Sequence, residues 1–172
     1  MKTLLKILVL FCGLTAAAQQ GGNVLISTDA KILALGSDNQ YTSHGPTANV
    51  LVLVEYQDKL YHKWRGYAFA GYEWVNLPQW YQSYFFGYGA SFKVIRKFDL
   101  IPSLEAGFIL RERNGRNAAG SWFVGANLDL RYYLNRKLAL SLRPNIELAT
   151  DLPGRKFRYQ ATTGIVILNL WH

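Results

Sequence analysis

Between residues 121 and 134 the chain alternates, position by position, between two kinds of side chain. Trp122, Val124, Ala126, Leu128, Leu130, Tyr132 and Leu134 hold the even positions, and Ser121, Phe123, Gly125, Asn127, Asp129, Arg131 and Tyr133 the odd ones. An extended strand turns successive side chains to opposite faces, so this segment has one apolar face and one largely polar face. A helix, whose faces repeat roughly every 3.6 residues, would scatter both sets around its axis.

The same period of two recurs along most of the chain. In residues 138–149, Leu138, Leu140, Leu142, Ile146 and Leu148 oppose Ser141, Arg143, Asn145 and Glu147. Residues 84–95 set Tyr84, Phe86, Tyr88 and Phe92 against Phe85, Gly87, Gly89 and Lys93, and residues 100–111 set Leu104, Ala106, Phe108 and Leu110 against Ser103, Glu105, Gly107 and Arg111. Residues 63–74, 49–57, 157–171 and 23–33 complete a set of eight strand segments. Pro102 and Pro144 stand in the apolar rows. Proline has no N–H for a ladder, so a bulge or a strand end is expected at each.

The connectors add the topology. Residues 57–62, 96–99 and 135–137 are short, whereas residues 36–47, 75–83, 112–120 and 150–155 are generally longer, and the two kinds alternate. Successive antiparallel hairpins with this alternation put every long loop at one rim and every short turn at the other. An even strand number returns both chain ends to the short-turn side. The expected architecture is all-β, an eight-stranded antiparallel transmembrane up-and-down β-barrel.

The start of the chain reads differently. Lys2 and Lys6 precede an apolar stretch over residues 4–14, and Ala16, Ala17 and Ala18 follow it. This is the layout of a cleaved secretory signal, and the apolar run is too short for a spanning helix, which needs about 20 residues. Residues 1–18 are therefore expected to be removed, leaving residues 19–172 as one domain. The alternative, a lipid-modified Cys12, would leave the alanine-rich site unused. Cys12 is the only cysteine, so the processed chain would have no disulfide and would hold together by packing and backbone pairing.

Which face meets which solvent is argued first from the charges. The polar rows collect Lys31, Lys63, Arg65, Lys93, Arg131, Arg143 and Arg158 together with Asp29, Glu55, Glu73, Glu105, Asp129 and Glu147. Such a nearly balanced set can be buried in a narrow lumen as crossed ion pairs, whereas isolated buried charges are prohibitively costly. The opposite rows carry almost no charge and would form an aggregation-prone surface in water, but they are the surface that lipid requires. Aromatic residues such as Trp64, Trp74, Tyr84, Trp122, Tyr132 and Trp171 are placed to form interfacial girdles. A soluble calycin-like barrel would reverse the two faces and place the same charges in water, which the alternation also fits; the aromatic bulk on the apolar rows, the alternating loop lengths and the strand lengths favour lipid. The formal charge of +8 comes from basic residues distributed along the whole chain, with no arginine-rich helix or zinc motif to collect them, so direct nucleic-acid binding is not expected.

In these segments the chain resembles the small outer-membrane β-barrel superfamily of Gram-negative cell envelopes, across residues 22–172. That resemblance implies an outer-membrane location with both termini in the periplasm, and an assembly role for Trp171, although His172 departs from the usual aromatic ending. A narrower likeness is to the conjugative-transposon barrel family TraO, carried by Val54-Glu55-Tyr56-Gln57, Phe123-Val124-Gly125-Ala126, Tyr132-Tyr133-Leu134 and Gly154-Arg155-Lys156-Phe157. It implies an accessory of a DNA-transfer apparatus.

Chemistry-bearing residues are sparse. Beyond the signal the histidines are His44, His62 and His172. Ser43, His44 and Asp38 are the only candidate nucleophile, base and orienting group, and adjacent serine and histidine are common by chance. His62 lies beside a short turn with no spaced nucleophile, and Glu73 and Glu105 are better read as interior ion-pair members than as paired hydrolytic acids. No catalytic residue, metal site or cofactor is assigned. Arg111, Arg113 and Arg116 form a basic stretch and are candidate contacts for lipopolysaccharide phosphates at the outer rim. The expected function is a non-enzymatic integral barrel with a structural or complex-accessory role and no large pore. Its expected partners are outer-membrane lipid, lipopolysaccharide and envelope-complex proteins; a conjugative-transfer accessory and a rim lipid-modifying enzyme are the alternatives.

Overall fold

A computed structural model describes residues 22–30, 49–57, 64–75, 81–113, 116–150 and 157–168, with the backbone alone at residues 112, 113 and 116–119. Eight strands follow in order: β1 (Gly22–Asp29), β2 (Asn49–Gln57), β3 (Trp64–Val75), β4 (Tyr81–Ile95), β5 (Phe98–Arg113), β6 (Arg116–Tyr133), β7 (Leu138–Ala149) and β8 (Phe157–Ile167). Each pairs antiparallel with its neighbour in sequence, and β1 pairs with β8 to close the barrel. Closure satisfies the edges that an open sheet would leave bare. No helix among the described residues is long and apolar enough to cross a membrane, which says nothing of crossing by strands.

Parity sorts the side chains as the alternation requires. Outward residues include Ile26, Phe86, Tyr88, Leu104, Trp122, Val124, Leu140 and Tyr159, all exposed, and no described side chain on the outward rows is charged. The lumen is not simply polar, however. Inward positions carry a cluster that includes Leu25, Leu53, Phe69, Phe85, Ile101, Phe123 and Val166, interleaved with the charged residues.

Its centre is aromatic. Phe69 and Phe85 meet edge to face with centroids 6.3 Å apart, and Phe85 and Phe123 do so at 6.0 Å. Aromatic rings favour this arrangement because the positive edge of one meets the negative face of the other. Room for the rings comes from glycine: a Cβ on Gly87 would overlap the Phe69 ring, and one on Gly107 would overlap Phe85 and Phe123.

Several boundaries differ from expectation. Residues 112–120 do not form a long loop, because the β5–β6 ladder continues through Leu110↔Gly120 and Arg111↔Ala119 to Arg113↔Arg116. Only Asn114-Gly115 remains to join the strands, and that dipeptide is a strong hairpin signal. β4 begins at Tyr81 rather than near Tyr84, and β1 ends at Asp29; Lys31 and the rest of its expected extension lie outside the described residues.

The prolines are absorbed without a bulge. The β4–β5 register runs from Gly89↔Ser103 to Phe92↔Leu100 and omits the two pairs between, at Ile101 and Pro102. The β6–β7 register likewise passes from Asn127↔Asn145 to Leu130↔Leu142, omitting those at Arg143 and Pro144. On its other side each proline stays in register, as Pro102↔Leu128 and Pro144↔Ala161. The register shifts fall elsewhere, between Lys93 and Ile95 and between Arg111 and Arg113.

Gly87→Ala should therefore destabilise the barrel by about 1–3 kcal/mol, because the Phe69 ring and the Leu104 carbonyl cannot both retreat. Urea titration of the detergent-folded protein, followed by tryptophan fluorescence, measures this; an unchanged midpoint would show that the aromatic plug is loosely packed.

Candidate functional site

Arg131 on β6 is the most enclosed cation among the described residues, with no solvent exposure. Its Nη1 and Nη2 donate to Glu55 Oε2 and Oε1, each at 2.9 Å, a two-point fork that fixes orientation as well as charge. Nη2 also bonds Asp129, two residues away on the same strand and so on the same face. The carboxylates are held in turn: Tyr67 donates its hydroxyl to Glu55 Oε1 at 2.8 Å, and Ser141 donates to Asp129 Oδ1 at 2.6 Å. One guanidinium thereby ties β2, β3, β6 and β7 together across the lumen.

A second group centres on Glu105 of β5. Arg143 Nη2 donates to Oε2 at 2.7 Å, Asn127 to Oε2 at 3.0 Å and Asn145 to Oε1 at 2.7 Å. The Arg143 guanidinium lies 4.4 Å from the centroid of Phe69, which couples the charge group to the aromatic plug through a cation–π contact. Nearer the long-loop rim, Glu73 accepts from Asn49 at 2.7 Å, Tyr81 at 3.0 Å and Ser83 at 3.2 Å. These are neutral donors, so the ion pair expected for Glu73 is replaced by a hydrogen-bond cage. Arg158 Nη1 stands 3.6 Å from Glu147 Oε2, and both Arg111 and Arg158 lie over the Tyr81 ring, at 4.7 and 5.4 Å.

Of the residues named from sequence as an interior set, Glu55, Glu73, Glu105, Asp129, Arg131, Arg143 and Glu147 are buried and Arg158 is half-buried; the others are placed as follows. Asp29 is buried, and its backbone N–H donates to Asn49 Oδ1 at 3.0 Å. Arg65 is half-buried at the short-turn end of β3. Lys93 is exposed rather than interior; it lies near the end of β4, paired with Asp99 and beside a register shift. Lys31 and Lys63 lie outside the described residues, as do Asp38, Ser43, His44, His62 and His172.

Arg111 requires a correction. It belongs to β5 and not to a loop, its parity turns it inward, and it is buried in the lumen. Arg113 and Arg116 face each other at the end of the β5–β6 ladder, with side chains outside the description. A contiguous basic loop is therefore not what these three residues form.

Asp99 was missed by the sequence reading, which left it in a turn. It is buried and accepts from Ser91 at 3.3 Å and Tyr133 at 2.8 Å. Extending the odd row back from Ser103 through Ile101 would have placed it. Among the described residues no three or more His, Cys, Asp or Glu side chains come together as a metal site. Glu73 and Glu105 sit in separate hydrogen-bond groups rather than as paired acids.

No family model matches this sequence, and no curated protein matches it. Solved structures do. The outer-membrane protein Ail of Yersinia pestis aligns over 87% of this chain and 99% of its own, with 10% identity and a TM-score of 0.51. Neisserial surface protein A aligns over 88% and 95%, with 10% identity and a TM-score of 0.50. The outer-membrane enzyme PagL aligns over 86% and 98%, with 7% identity and a TM-score of 0.48. At such identities the likeness concerns the fold alone: the chain is a closed eight-stranded antiparallel barrel of the kind built by small outer-membrane proteins.

Arg131→Met should cost about 3–5 kcal/mol, since it strands Glu55 and Asp129 in the lumen. Adding Glu55→Gln and Asp129→Asn should recover much of that loss in urea titrations of the folded barrel; full additivity would mean that the three groups do not act as one unit.

Proposed function

We propose that this chain is a non-enzymatic integral barrel of the outer membrane, with a structural or complex-accessory role and no general solute pore. The observation that carries the reading is the pairing of an exterior whose described side chains are uncharged and mostly apolar with a lumen filled by its own side chains. Eight strands enclose little more than those side chains. Phe69, Phe85 and Phe123 occupy the middle, and the Arg131 and Glu105 groups fill the space around them. In lipid the exterior needs no further partner; in water it would need one. Exposed Trp64, Phe92 and Tyr132 near the short turns, and Trp122, Phe157 and Tyr159 toward the long loops, support two interfacial aromatic bands.

Periplasmic termini and a removed signal over residues 1–18 belong to the same reading and rest on strand parity and the N-terminal sequence. The TraO likeness supports membership of a transfer assembly only through its short shared phrases, and cross-linking in intact cells followed by partner identification tests it.

The membrane reading predicts that a nitroxide at Leu140 in cell envelopes is relaxed efficiently by dissolved oxygen and poorly by a water-soluble metal chelate; the reverse would overturn it. Liposomes bearing the protein should swell in isosmotic sugar no faster than empty ones, and rapid swelling would remove the closed-lumen claim. For the rim-enzyme alternative, lipid A from cells expressing the wild-type chain and His44→Ala should be identical by mass spectrometry.

A further inference from the structure

The described charges outside the lumen concentrate at one rim. Arg96 and Lys97 form the turn between β4 and β5, Arg136 and Lys137 lie in the turn between β6 and β7, and Lys93 stands just before the first turn; all five are exposed. None makes a side-chain ion pair or hydrogen bond with any described residue. The nearest acid by register, Asp99 opposite Lys93, is buried and committed to Ser91 and Tyr133.

The two turns are held side by side. Tyr133 donates its backbone N–H to the Lys97 carbonyl at 2.9 Å, across the β5–β6 ladder that also pairs Phe98 with Tyr132. Asn135 Oδ1 accepts from the backbone N–H groups of Lys137 and Leu138 at 2.7 and 2.9 Å, which fixes the second turn. Leu168 N–H donates to the Lys137 carbonyl at 2.8 Å and anchors it to the end of β8. The cations are thus mounted on ordered backbone, so little turn entropy is lost when they engage a ligand.

Directly above them on the outward wall stand Phe92, Val94, Tyr132 and Leu134, all exposed. Fixed cations beside an apolar, aromatic-edged wall match one ligand chemistry: a phosphate headgroup joined to acyl chains. We propose that the β4–β5 and β6–β7 turns form a binding site for an anionic phospholipid of the leaflet on the short-turn side. Arg96, Lys97, Arg136 and Lys137 meet its phosphate, and its chains lie along Phe92, Val94, Tyr132 and Leu134. The proposal rests on the membrane reading. The site lies at the end opposite to the one toward which Arg111 is enclosed in the lumen.

The test uses the full processed chain reconstituted in nanodiscs of phosphatidylcholine containing a minor fraction of phosphatidylglycerol or cardiolipin, followed by mild detergent extraction and native mass spectrometry of retained lipid. Wild type should retain the anionic lipid over phosphatidylcholine by on the order of tenfold, as several fixed cations near a surface imply. The quadruple variant Arg96→Gln, Lys97→Gln, Arg136→Gln and Lys137→Gln should lose that preference while keeping the heat-dependent gel mobility of a folded barrel. If that variant does not fold, the pairs Arg96→Gln with Lys97→Gln and Arg136→Gln with Lys137→Gln should each lower the preference severalfold. No anionic preference in wild type, or the same preference in a folded variant, overturns the site. Failure to insert into any of these bilayers would instead overturn the membrane reading.

Discussion

Closing eight strands on themselves leaves a lumen about as wide as the side chains that project into it, and the rest of the structure follows from having to fill that space without stranding a charge. The chain meets both demands with the same inward rows. Rings from Phe69, Phe85 and Phe123 occupy the volume that Gly71, Gly87 and Gly107 vacate, and Arg131 and Arg143 stand among carboxylates already held by tyrosine, serine and asparagine. The cation–π contact of Arg143 on Phe69 joins the two solutions into one core. A buried ion pair is weak support for stability against an apolar substitute, yet once present it cannot lose one partner cheaply. Its cross-lumen reach also specifies which strands must lie opposite one another.

The core lies inside the barrel, the described side chains on the outward rows are uncharged, and the exposed charges among the described residues stand at the short-turn rim. Ail and neisserial surface protein A share the barrel shape at 10% identity, which is what a fold dictated by strand parity and closure permits: many sequences satisfy the same rule.

Much of this architecture could be read from the chain because parity is unforgiving; a slip of one residue would turn every inward charge of a strand onto the apolar outer wall. Glu55, Glu73, Glu105, Asp129, Arg131, Arg143 and Glu147 are all found on inward rows for that reason. What parity could not supply was partnership. Nothing in the spacing of Glu73 marks it for neutral donors and Glu55 for an arginine, since those partners come from other strands. The phenylalanines on the odd rows beside glycines were visible as residues, but their complementarity across β3, β4, β5 and β6 depends on stagger between strands. Errors gathered at strand ends, where Lys93, Asp99 and Arg111 lie, because there the alternation competes with turns and bulges that composition describes poorly.

The interrupted ladders at Pro102 and Pro144 have a bearing on assembly. They fall on either side of β5 and β6, which remain joined by a ladder running without such an interruption from Phe98↔Tyr132 to Arg111↔Ala119. Like the β4–β5 hairpin, which turns through Arg96 and Lys97, this hairpin links residues close in the chain and requires little loop closure, whereas sealing β1 to β8 must bring together the two most distant strands. A chain built this way has a natural starting point in its middle and a natural last step at its ends, with the prolines marking where the early unit stops.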